Sequence, residues 1–300
     1  MVTGGAGFIG GQVVRMLRED IGLPADAVRI PRSADCDLRD PDNARRSVKD
    51  ADIVIHLAGV TGGIGFSRAY PASQYRDSTL IDLNVLEAAR LTGATKVIQM
   101  GNLFAYAGDA PVPLMEPSLF YGLPSSSHRG VGWMKRNLAV MADLYWREFE
   151  LPVATIFSAN AYGPCDSTNL AHAHVIPSLI MKCLSQPSLE VWGDGSPTRD
   201  FLFVEDVARG LLLAAERLVA PGYLNLGSGE EVSVRQIVEW IVEFTGFKGT
   251  VSFDASKRGG DARRCVSPNA AAEQLGYKPE VRMREGLQRT VEWYRLNWKP

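Results

Sequence analysis

The chain has 300 residues, of which 46% are hydrophobic and 22% charged, a balance typical of a soluble globular protein with one large domain or two fused lobes. Its formal net charge of −2 offers no electrostatic basis for binding nucleic acid or an anionic membrane. No apolar run approaches the roughly 18 residues of a membrane span. The four scattered cysteines form no CxxC pair, which favours a reducing cytoplasm over a metal cluster or a disulfide framework.

The first half alternates short β-rich runs with helical patterns. In chain order these are "MV", "TGGAGFIGGQVVRMLRED", "AVRIP", "ADIVIHLAG", "TLIDLNVLEAARLTG", "KVIQMG", "KRNLAVMADLYWREF" and "LPVATIFSANAYG". Strand–helix alternation predicts an α/β fold with a doubly wound parallel sheet covered on both faces. Only Met1 and Val2 precede the turn "TGGAGFIG", whereas a buried strand usually has about five residues, so we expect the natural start of the chain to lie upstream.

The second half is less regular. The segments "HVIPSLIMKCLSQ" and "VRQIVEWIVEFTG" predict helices, and "RDFLFVEDVARGLLLAAERL" predicts a strand and helix that return to the first lobe. We therefore predict a Rossmann domain over residues 1–163 with a return segment at about 200–226. A smaller substrate lobe would comprise residues 164–199 and 227–300, and the ligand crevice would lie at the carboxyl ends of the strands.

The turn "TGGAGFIG" spaces Gly4, Gly7 and Gly10 as G-x-x-G-x-x-G between a strand and a helix. Glycines at these positions allow a tight turn and a close approach of a pyrophosphate to the helix N-terminus. The alternative is a glycine-rich turn without a ligand. Because strand and helix flank it in the required order, we predict a dinucleotide site that includes Phe8 and Ile9.

The choice between the two nicotinamide cofactors depends on the segment after "AVRIP". An NAD site usually carries an acid at the tip of the second strand, where this chain has no acid. Arg29 and Arg32 favour NADP(H), because guanidinium groups pair well with a 2′-phosphate. Asp35 keeps NAD(H) as the alternative, and Asp37 with Leu38 are predicted to contact the adenine.

Motifs along nearly the whole chain carry a family resemblance. "VTGGAGFIG", "HLAG", "NVLEAAR", "NAYGP" and "RDFLFVEDVA" occur in the order and spacing of the extended short-chain dehydrogenases/reductases, the nucleotide-sugar epimerases and dehydratases, and the chain resembles that family. "VTGGIGFSRAYPA", "EPSLFYGLP", "AHAHVIPSLI", "VWGDGSPTRDFLFVEDVA" and "GFKGTVSFDASKRGGDARR" resemble most its GDP-L-fucose synthase group, which epimerises and reduces GDP-4-keto-6-deoxymannose.

The resemblance implies roles for individual residues. At the cofactor, Lys135 would contact the nicotinamide ribose and Asn160 would lie at the nicotinamide. We add Leu57, Ala58 and Gly59 of "HLAG" to the cofactor contacts.

On the substrate side, His174 would act as an acid or base in epimerisation, and Arg199 would bind the diphosphate or the sugar. Further contacts to a nucleotide sugar are expected from Asn160, Val175, Trp192, Lys257 and Arg263. His172 and His174 alternate in "HAH", but no third ligand accompanies them, so we expect no metal site.

The departures from the family concentrate on its chemical groups. Val131 replaces the tyrosine that gives or takes a proton during hydride transfer, Asn102 replaces a serine, and Phe104 replaces the epimerase cysteine, whereas Lys135 and His174 are retained. General acid–base help is worth roughly 10²–10⁴-fold, which valine cannot supply. Lys135 can still stabilise an oxyanion, and Asn102 keeps a hydrogen-bond donor, so we count Lys135, His174 and Asn102 as the catalytic candidates.

His128 and Tyr106 are the candidates for an acid that replaces the tyrosine. His128 is expected to be a solvated loop histidine, Tyr106 a structural tyrosine, and Trp133 a wall of the pocket. Tyr121 lies across a proline- and serine-rich loop, so we do not expect an ordinary fucose synthase with a displaced tyrosine.

Two classes of function follow. The first is an atypical nucleotide-sugar epimerase or reductase that acts on a GDP-4-keto-6-deoxy sugar with NADP(H). The second is a catalytically silent partner or regulatory subunit that binds cofactor and nucleotide sugar. The residues retained for ligand binding fit both, and the changes at 102, 104 and 131 favour the second. We prefer the first, because an altered active site is also how such scaffolds acquire new substrates. The resemblance also implies a homodimer formed partly through the "KRNLAVMADLYW" helix.

Overall fold

The computed structural model describes residues 1–62, 64–125, 128–170, 173–218, 221–257 and 260–299. The strands within these residues are β1 Val2–Thr3, β2 Ile53–His56, β3 Lys96–Asn102, β4 Val153–Ser158, β5 Asn160–Tyr162, β6 Ser188–Trp192, β7 Thr198–Arg199, β8 Phe201–Phe203, β9 Gly222–Leu226, β10 Val232–Ser233, β11 Thr250–Asp254 and β12 Arg263–Arg264. The α-helices are α1 Phe8–Arg15, α2 Pro41–Val48, α3 Ile64–Ala69, α4 Pro71–Thr92, α5 Arg129–Phe149, α6 Val175–Ser185, α7 Val204–Arg217, α8 Val234–Thr245, α9 Asn269–Leu275 and α10 Met283–Asn297.

Polar residues begin several of these helices. The Asp40 carboxylate accepts from the backbone N–H groups of Asp42 and Asn43 at the start of α2, and the Ser233 hydroxyl accepts from Gln236 N–H at the start of α8. These groups satisfy N–H donors that have no partner inside the helix. In α4 a proline stands at the first helical position, where no donor is needed.

The central sheet has five parallel strands in the order β1-β2-β3-β4-β9. Successive residues of its strands enter different apolar clusters: Val54 and Val97 pack with α2, α4 and α5, whereas Ile55 and Ile98 pack with α1 and α7. Because neighbouring side chains on a strand point to opposite faces, the two clusters cover the two faces of the sheet. The prediction of a doubly wound α/β fold is confirmed.

The second predicted strand is not formed. Residues 28–30 make a single ladder-like contact, from Val2 N–H to Arg29 C=O at 2.9 Å. Pro31 has no N–H to continue the pairing, and β1 offers only two residues as a partner. The chain still runs to one side of β1 through α1 and to the other side through α2, so the direction of winding changes at β1.

A second apolar cluster lies between α6, α8 and α10. Leu179, Ile241 and Leu287 are buried there, beside the parallel pair β6–β11. Residues 266–277 belong to the second half of the chain but pack with the central sheet, where Leu275 and Tyr277 join its cluster. The helix α9 therefore covers an edge of the sheet near β9, not the second cluster. No helix among the described residues is long and apolar enough to cross a membrane.

Asp200, between β7 and β8, joins the two clusters. Its fully buried carboxylate accepts from the backbone N–H of Ser228 at 3.0 Å and from the Ser228 hydroxyl at 2.6 Å, with longer contacts from the N–H groups of Gly229 and Val266. Its backbone N–H donates to Arg264 C=O at 2.8 Å. Burial raises the pKa of this carboxyl above its ordinary value, and the surrounding donors oppose that change.

We expect Asp200→Asn to lower the free energy of unfolding by about 2–3 kcal/mol, because the new amide N–H₂ would face backbone donors in a buried site. Urea unfolding followed by circular dichroism measures this change. The exposed Asp26→Asn is the matched control and should stay within about 0.5 kcal/mol of the wild type. A loss below about 1 kcal/mol for Asp200→Asn would contradict the assigned role.

Candidate active site

The glycine turn is packed too tightly for side chains. Gly4 has a φ of +67°, and a Cβ built there would lie 2.8 Å from the Leu57 carbonyl carbon and oxygen. A Cβ on Gly10 would lie 2.1 Å from the Gly4 carbonyl oxygen. The Gly7 N–H donates to that same oxygen at 2.9 Å and closes the turn. Gly4 and Gly10 are therefore required by close backbone approach, whereas a Cβ on Gly7 would lie 3.2 Å from the Gly4 carbonyl oxygen.

The N-terminus of α1 is open to solvent. Gly7 is exposed and precedes the helix, and no acidic residue lies in the first turn. Phe8 and Ile9 are half-buried and carry first-turn N–H groups that an α-helix leaves without an internal partner. An open, acid-free helix N-terminus fits the diphosphate of a dinucleotide.

A buried polar chain holds the "HLAG" segment against the turn. The Thr3 hydroxyl accepts from the N–H groups of Leu57 and Ala58, each at 3.1 Å, and lies 2.7 Å from His56 Nδ1. His56 Nε2 lies 2.9 Å from Asp82 Oδ1. Since both acceptor positions of Thr3 are used, its proton points to Nδ1, so Nε2 carries the histidine proton and donates to Asp82.

No role for Thr3, His56 or Asp82 was predicted from the sequence, because these residues come from separate elements. The threonine before the glycines was the only local signal. The predicted contact residue Gly59 follows directly in the same segment and is half-buried.

The residues predicted to select the cofactor lie near the end of the segment beside β1. Arg29 is half-buried, and Arg32 and Asp35 are exposed. Asp37 forms an ion pair with Arg39, which lowers the pKa of the Asp37 carboxyl to about 2 through side-chain hydrogen bonds. The Leu38 side chain packs into the core with α2 and α4, so it is committed to the fold.

Two of the catalytic candidates, Lys135 and Asn102, are placed near the carboxyl end of β3. The Lys135 ammonium donates to Met100 C=O at 2.9 Å, and Asn102 is the last residue of that strand. The Asn102 side-chain oxygen accepts from Phe104 N–H at 3.1 Å. Its Nδ2 has no hydrogen-bond partner among the described residues and remains available as a donor.

Val131 lies in the first turn of α5 and is half-buried. Tyr106 is fully buried, its hydroxyl donates to Asn225 Oδ1 at 2.7 Å, and burial raises its pKa, so it is a structural tyrosine as predicted. The Tyr121 side chain is 70% exposed. Trp133 is also exposed and contacts the guanidinium of Arg136, 5.0 Å from the ring centroid.

Arg136 is buried next to Lys135 on α5. Its Nε donates to Ala105 C=O at 2.8 Å and its Nη1 to Gly122 C=O at 2.9 Å. These bonds tie both ends of the intervening loop to the helix that carries Lys135.

His128 is not a solvated loop histidine, and that prediction is wrong. Its ring stacks on Phe104 with centroids 3.8 Å apart and an interplanar angle of 9°. Burial lowers the His128 pKa to about 4, and the charges of Arg68, Arg264 and Arg199 lower it further, against an opposing effect of Asp261. The imidazole is consequently neutral at pH 7.

Three arginines lie on the paired strands β7 and β12. Arg199 is half-buried, and burial lowers its pKa. Arg263 is exposed and forms an ion pair with Glu231 at 2.6 Å. Arg264, which sequence reasoning missed, is buried, contacts Asp261 at 2.8 Å and donates to Leu103 C=O at 3.2 Å.

The remaining predicted substrate contacts are spread along the second lobe. Lys257 lies 5.9 Å from the centroid of the exposed Trp192 ring, but it also pairs with Glu190 and Asp254. Asn160 donates from its backbone N–H at 3.1 Å and from Nδ2 at 3.0 Å, both to Asp200 C=O.

His174 directly precedes α6. Its side chain is 56% exposed, and its Nδ1 lies 3.9 Å from Asp166 Oδ2, which raises the His174 pKa. Val175 beside it is also exposed. His172 lies outside the described residues, and within those residues no three acidic, histidine or cysteine side chains are grouped to hold a metal.

Comparison with known proteins identifies the family of the chain. The model of the NAD dependent epimerase/dehydratase family matches residues 1–227. The chain belongs to this family.

Its relatives include putative GDP-L-fucose synthase 2 of Oryza sativa subsp. japonica, 31% identical over 98% of this chain and 86% of that protein. GDP-L-fucose synthase of Escherichia coli (strain K12) is 28% identical over 82% of this chain and 81% of that protein.

Two solved structures share the whole fold. UDP-glucose 4-epimerase of Thermotoga maritima is 27% identical with a TM-score of 0.87, covering 98% of both chains. An NADP-bound GDP-L-fucose synthetase of Naegleria fowleri is 25% identical with a TM-score of 0.88, covering 99% of this chain and 93% of that one. The predicted family, that of NAD(P)-dependent nucleotide-sugar epimerases and reductases, is confirmed.

We expect Gly10→Ala to weaken binding of NADPH by at least about tenfold, because its Cβ would collide with the Gly4 carbonyl and open the turn. Fluorescence titration measures the Kd. Gly11→Ala is the matched control on the same helix, since its Cβ would meet nothing within 4 Å. It should leave the Kd unchanged. Equal affinities for both variants would show that the turn does not bind the cofactor.

Proposed function

We propose that this protein is an enzyme that epimerises or reduces a GDP-4-keto-6-deoxy sugar with bound NADP(H). The observation that carries the proposal lies at the end of β3, where the retained Lys135 ammonium donates to Met100 C=O and Asn102, which replaces the family's serine, keeps an amide donor. Whole-length relatives named GDP-L-fucose synthase support the substrate class. Residues 1–163 with 200–226 would bind the cofactor. Residues 164–199 with 227–300 would bind the nucleotide sugar, except for residues 266–277, which pack on the central sheet.

The cofactor assignment rests on charge and fit. Arg29 and Arg32 would pair with the 2′-phosphate, and the tip of the segment that carries them has no acid. The Naegleria fowleri relative was solved with NADP. When bound, NADP(H) would supply or accept the hydride. The open N-terminus of α1 would hold its diphosphate, and Asp37 and Leu38 would adjoin the adenine.

The chemistry assigned to the β3 end is polarisation of a sugar carbonyl. Asn102 would donate from Nδ2 to the carbonyl oxygen, and the Lys135 charge would stabilise an oxyanion as it forms. Val131 supplies no proton, so the rate of reduction should lie below that of a tyrosine enzyme by roughly 10²–10⁴-fold. Enolisation depends on the oxyanion and on a base, and it needs no proton from position 131.

His174 would be the base that removes a proton from a carbon beside the carbonyl. Its exposed ring can reach a ligand, and Val175 would flank it. Arg199, Arg263 and Lys257 would bring positive charge to a nucleotide diphosphate, with Trp192 stacking nearby. Asn160 would contact both ligands from the joint between the lobes.

A catalytically silent binder is the second candidate, and Val131 is the observation that favours it. With Asn102 and Phe104, it removes the ordinary proton donors while the ligand-binding residues remain. In that case the protein would bind both ligands and release them unchanged.

The deciding experiment incubates the protein with GDP-4-keto-6-deoxymannose in deuterated water, with and without NADPH. We expect deuterium uptake by the sugar, detected by mass spectrometry, and its loss by roughly 10²-fold or more in His174→Gln and Lys135→Met. NADPH oxidation would add reduction. The exposed Lys248→Met is the control and should exchange like the wild type.

Binding of both ligands by calorimetry without exchange or oxidation would overturn the enzyme proposal in favour of the silent binder. Failure to bind the GDP-sugar would contradict the substrate class.

We further propose a homodimer through α4 and α5, which pack side by side. Their outer surface exposes large apolar side chains, among them Leu83 and Leu91 on α4 and Val140 and Leu144 on α5. Apolar groups clustered on neighbouring helices are typical of an interface between subunits.

We expect the double variant Leu83→Glu, Leu144→Glu to be monomeric, because two charges would be buried without partners. Size-exclusion chromatography with light scattering measures the mass. Leu296→Glu, at an 83% exposed position on α10, is the control and should remain dimeric. A monomeric wild type would contradict the proposal.

We also infer a reducing cytoplasm as the compartment. The four cysteines are all unpaired, two of them buried. Proteins of oxidising compartments more often pair their cysteines.

A further inference from the structure

We propose that Asp166 is a positioning residue whose buried carboxylate orients the His174 imidazole, so that the two form a carboxylate–histidine dyad. The inference rests on the proposed function, in which His174 is the base. Neither the family resemblance nor the sequence assigned any role to Asp166.

The Asp166 carboxylate has one satisfied and one unsatisfied oxygen. Oδ1 accepts from Ser167 N–H at 2.7 Å, whereas the buried Oδ2 has no hydrogen-bond partner among the described residues. The nearest cationic group to Oδ2 in that part of the chain is His174 Nδ1 at 3.9 Å. Leaving a buried charged oxygen without a donor is costly, and a proton on Nδ1 would satisfy it.

A separation of 3.9 Å exceeds a hydrogen bond. Catalytic hydrogen bonds are often long in free enzymes and tighten when the ligand binds. The exposed His174 ring has room to move, whereas Asp166 is held in place, so we assign the closing movement to the histidine.

The segment that carries Asp166 is anchored to α10. The Tyr294 hydroxyl donates to Ser167 C=O at 2.8 Å, and Trp298 Nε1 donates to Thr168 C=O at 3.1 Å. Tyr294 itself is fully buried. The carboxylate therefore has a rigid support that does not depend on the histidine.

His174 lies at the N-terminus of the helix α6. A helix N-terminus carries partial positive charge, so the start of α6 disfavours a protonated imidazole. The His174 pKa is nevertheless raised, through Asp166. Among the described residues, the titratable groups beside this pair are Cys165 and Tyr294. Burial raises the pKa of both, so they stay neutral at pH 7 and Asp166 supplies the countercharge.

The dyad has a chemical consequence. With its Nδ1 proton directed to Asp166, the neutral His174 presents Nε2 as the base, and after taking a proton it is stabilised as a cation. The raised pKa also contributes stability below the unfolded value of about 6.5, and this contribution is lost as the pH rises through the folded pKa.

NMR titration of ring-labelled histidine tests the dyad without requiring activity. His174→Gln identifies the His174 signal among the four histidines. We expect a wild-type pKa above about 6.5 and a fall below that value in Asp166→Asn, where the helix end acts alone. Asp166→Glu should restore part of the shift, and the exposed Asp26→Asn should leave it unchanged.

Exchange kinetics provide the second readout. In Asp166→Asn we expect kcat for deuterium exchange to fall by roughly 10²-fold with KM nearly unchanged, and the limb of the pH profile that belongs to His174 to move to lower pH. A structural role would instead lower the melting temperature and leave that limb in place.

The outcomes separate the two proposals. A wild-type His174 pKa at or below about 6.5, or an unmoved pKa in Asp166→Asn, overturns the dyad whatever the activity. A His174 pKa that falls in Asp166→Asn, in a wild-type protein that exchanges no deuterium, supports the dyad and contradicts the proposed function. If Asp166→Asn does not fold, the wild-type titration and Asp166→Glu still decide.

Discussion

The buried Asp200 carboxylate is the constraint on which the two halves of the molecule depend. It receives donors from the segment after β9, while its own backbone binds Asn160 and Arg264. The end of the cofactor-binding sheet and the arginine-bearing strands of the second lobe are thereby held at one residue. Hydrogen bonds to a single residue therefore hold these two parts of the chain together.

Near Asp200, the candidate site has charged groups but lacks the usual proton donors of the family. The position of the expected tyrosine is apolar, and the nearest histidine on the same helix end is stacked on Phe104 and kept neutral. What remains is a lysine, an amide donor and arginines. Such a set stabilises negative charge well but gives no proton to a carbonyl oxygen. In the proposed function it would therefore favour enolisation, with His174 as the base, over rapid reduction.

The sequence predicted what local patterns encode. The glycine turn, the buried strands β2 and β3 and the helices α7 and α8 follow from periodicity and from residues close in the chain. The start of α5 was not predicted, because two glycines interrupt its first turn. Gly132 is needed there, since a Cβ would lie 2.4 Å from Phe104 C=O.

Contacts between distant segments were also missed. The pairing of Asp82 with His56, of Arg264 with Leu103, and of His128 with Phe104 depends on the folded arrangement, and no spacing along the chain signals it. The weak segment at residues 28–30 has a β-like composition, but its pairing depended on the length of a partner strand.

The consecutive residues Lys135 and Arg136 connect α5 by hydrogen bonds to β3 and to the loop that follows it. The lysine donates to the end of β3, the arginine donates to both ends of the loop 105–122, and Val140 and Leu144 further along the helix are exposed. A helix moves as a rod, and a slip by one residue along its axis is about 1.5 Å, enough to break these bonds together. A substitution on the exposed side of α5 that shifts the helix would therefore disturb the hydrogen bonds of Lys135 and Arg136 at the same time.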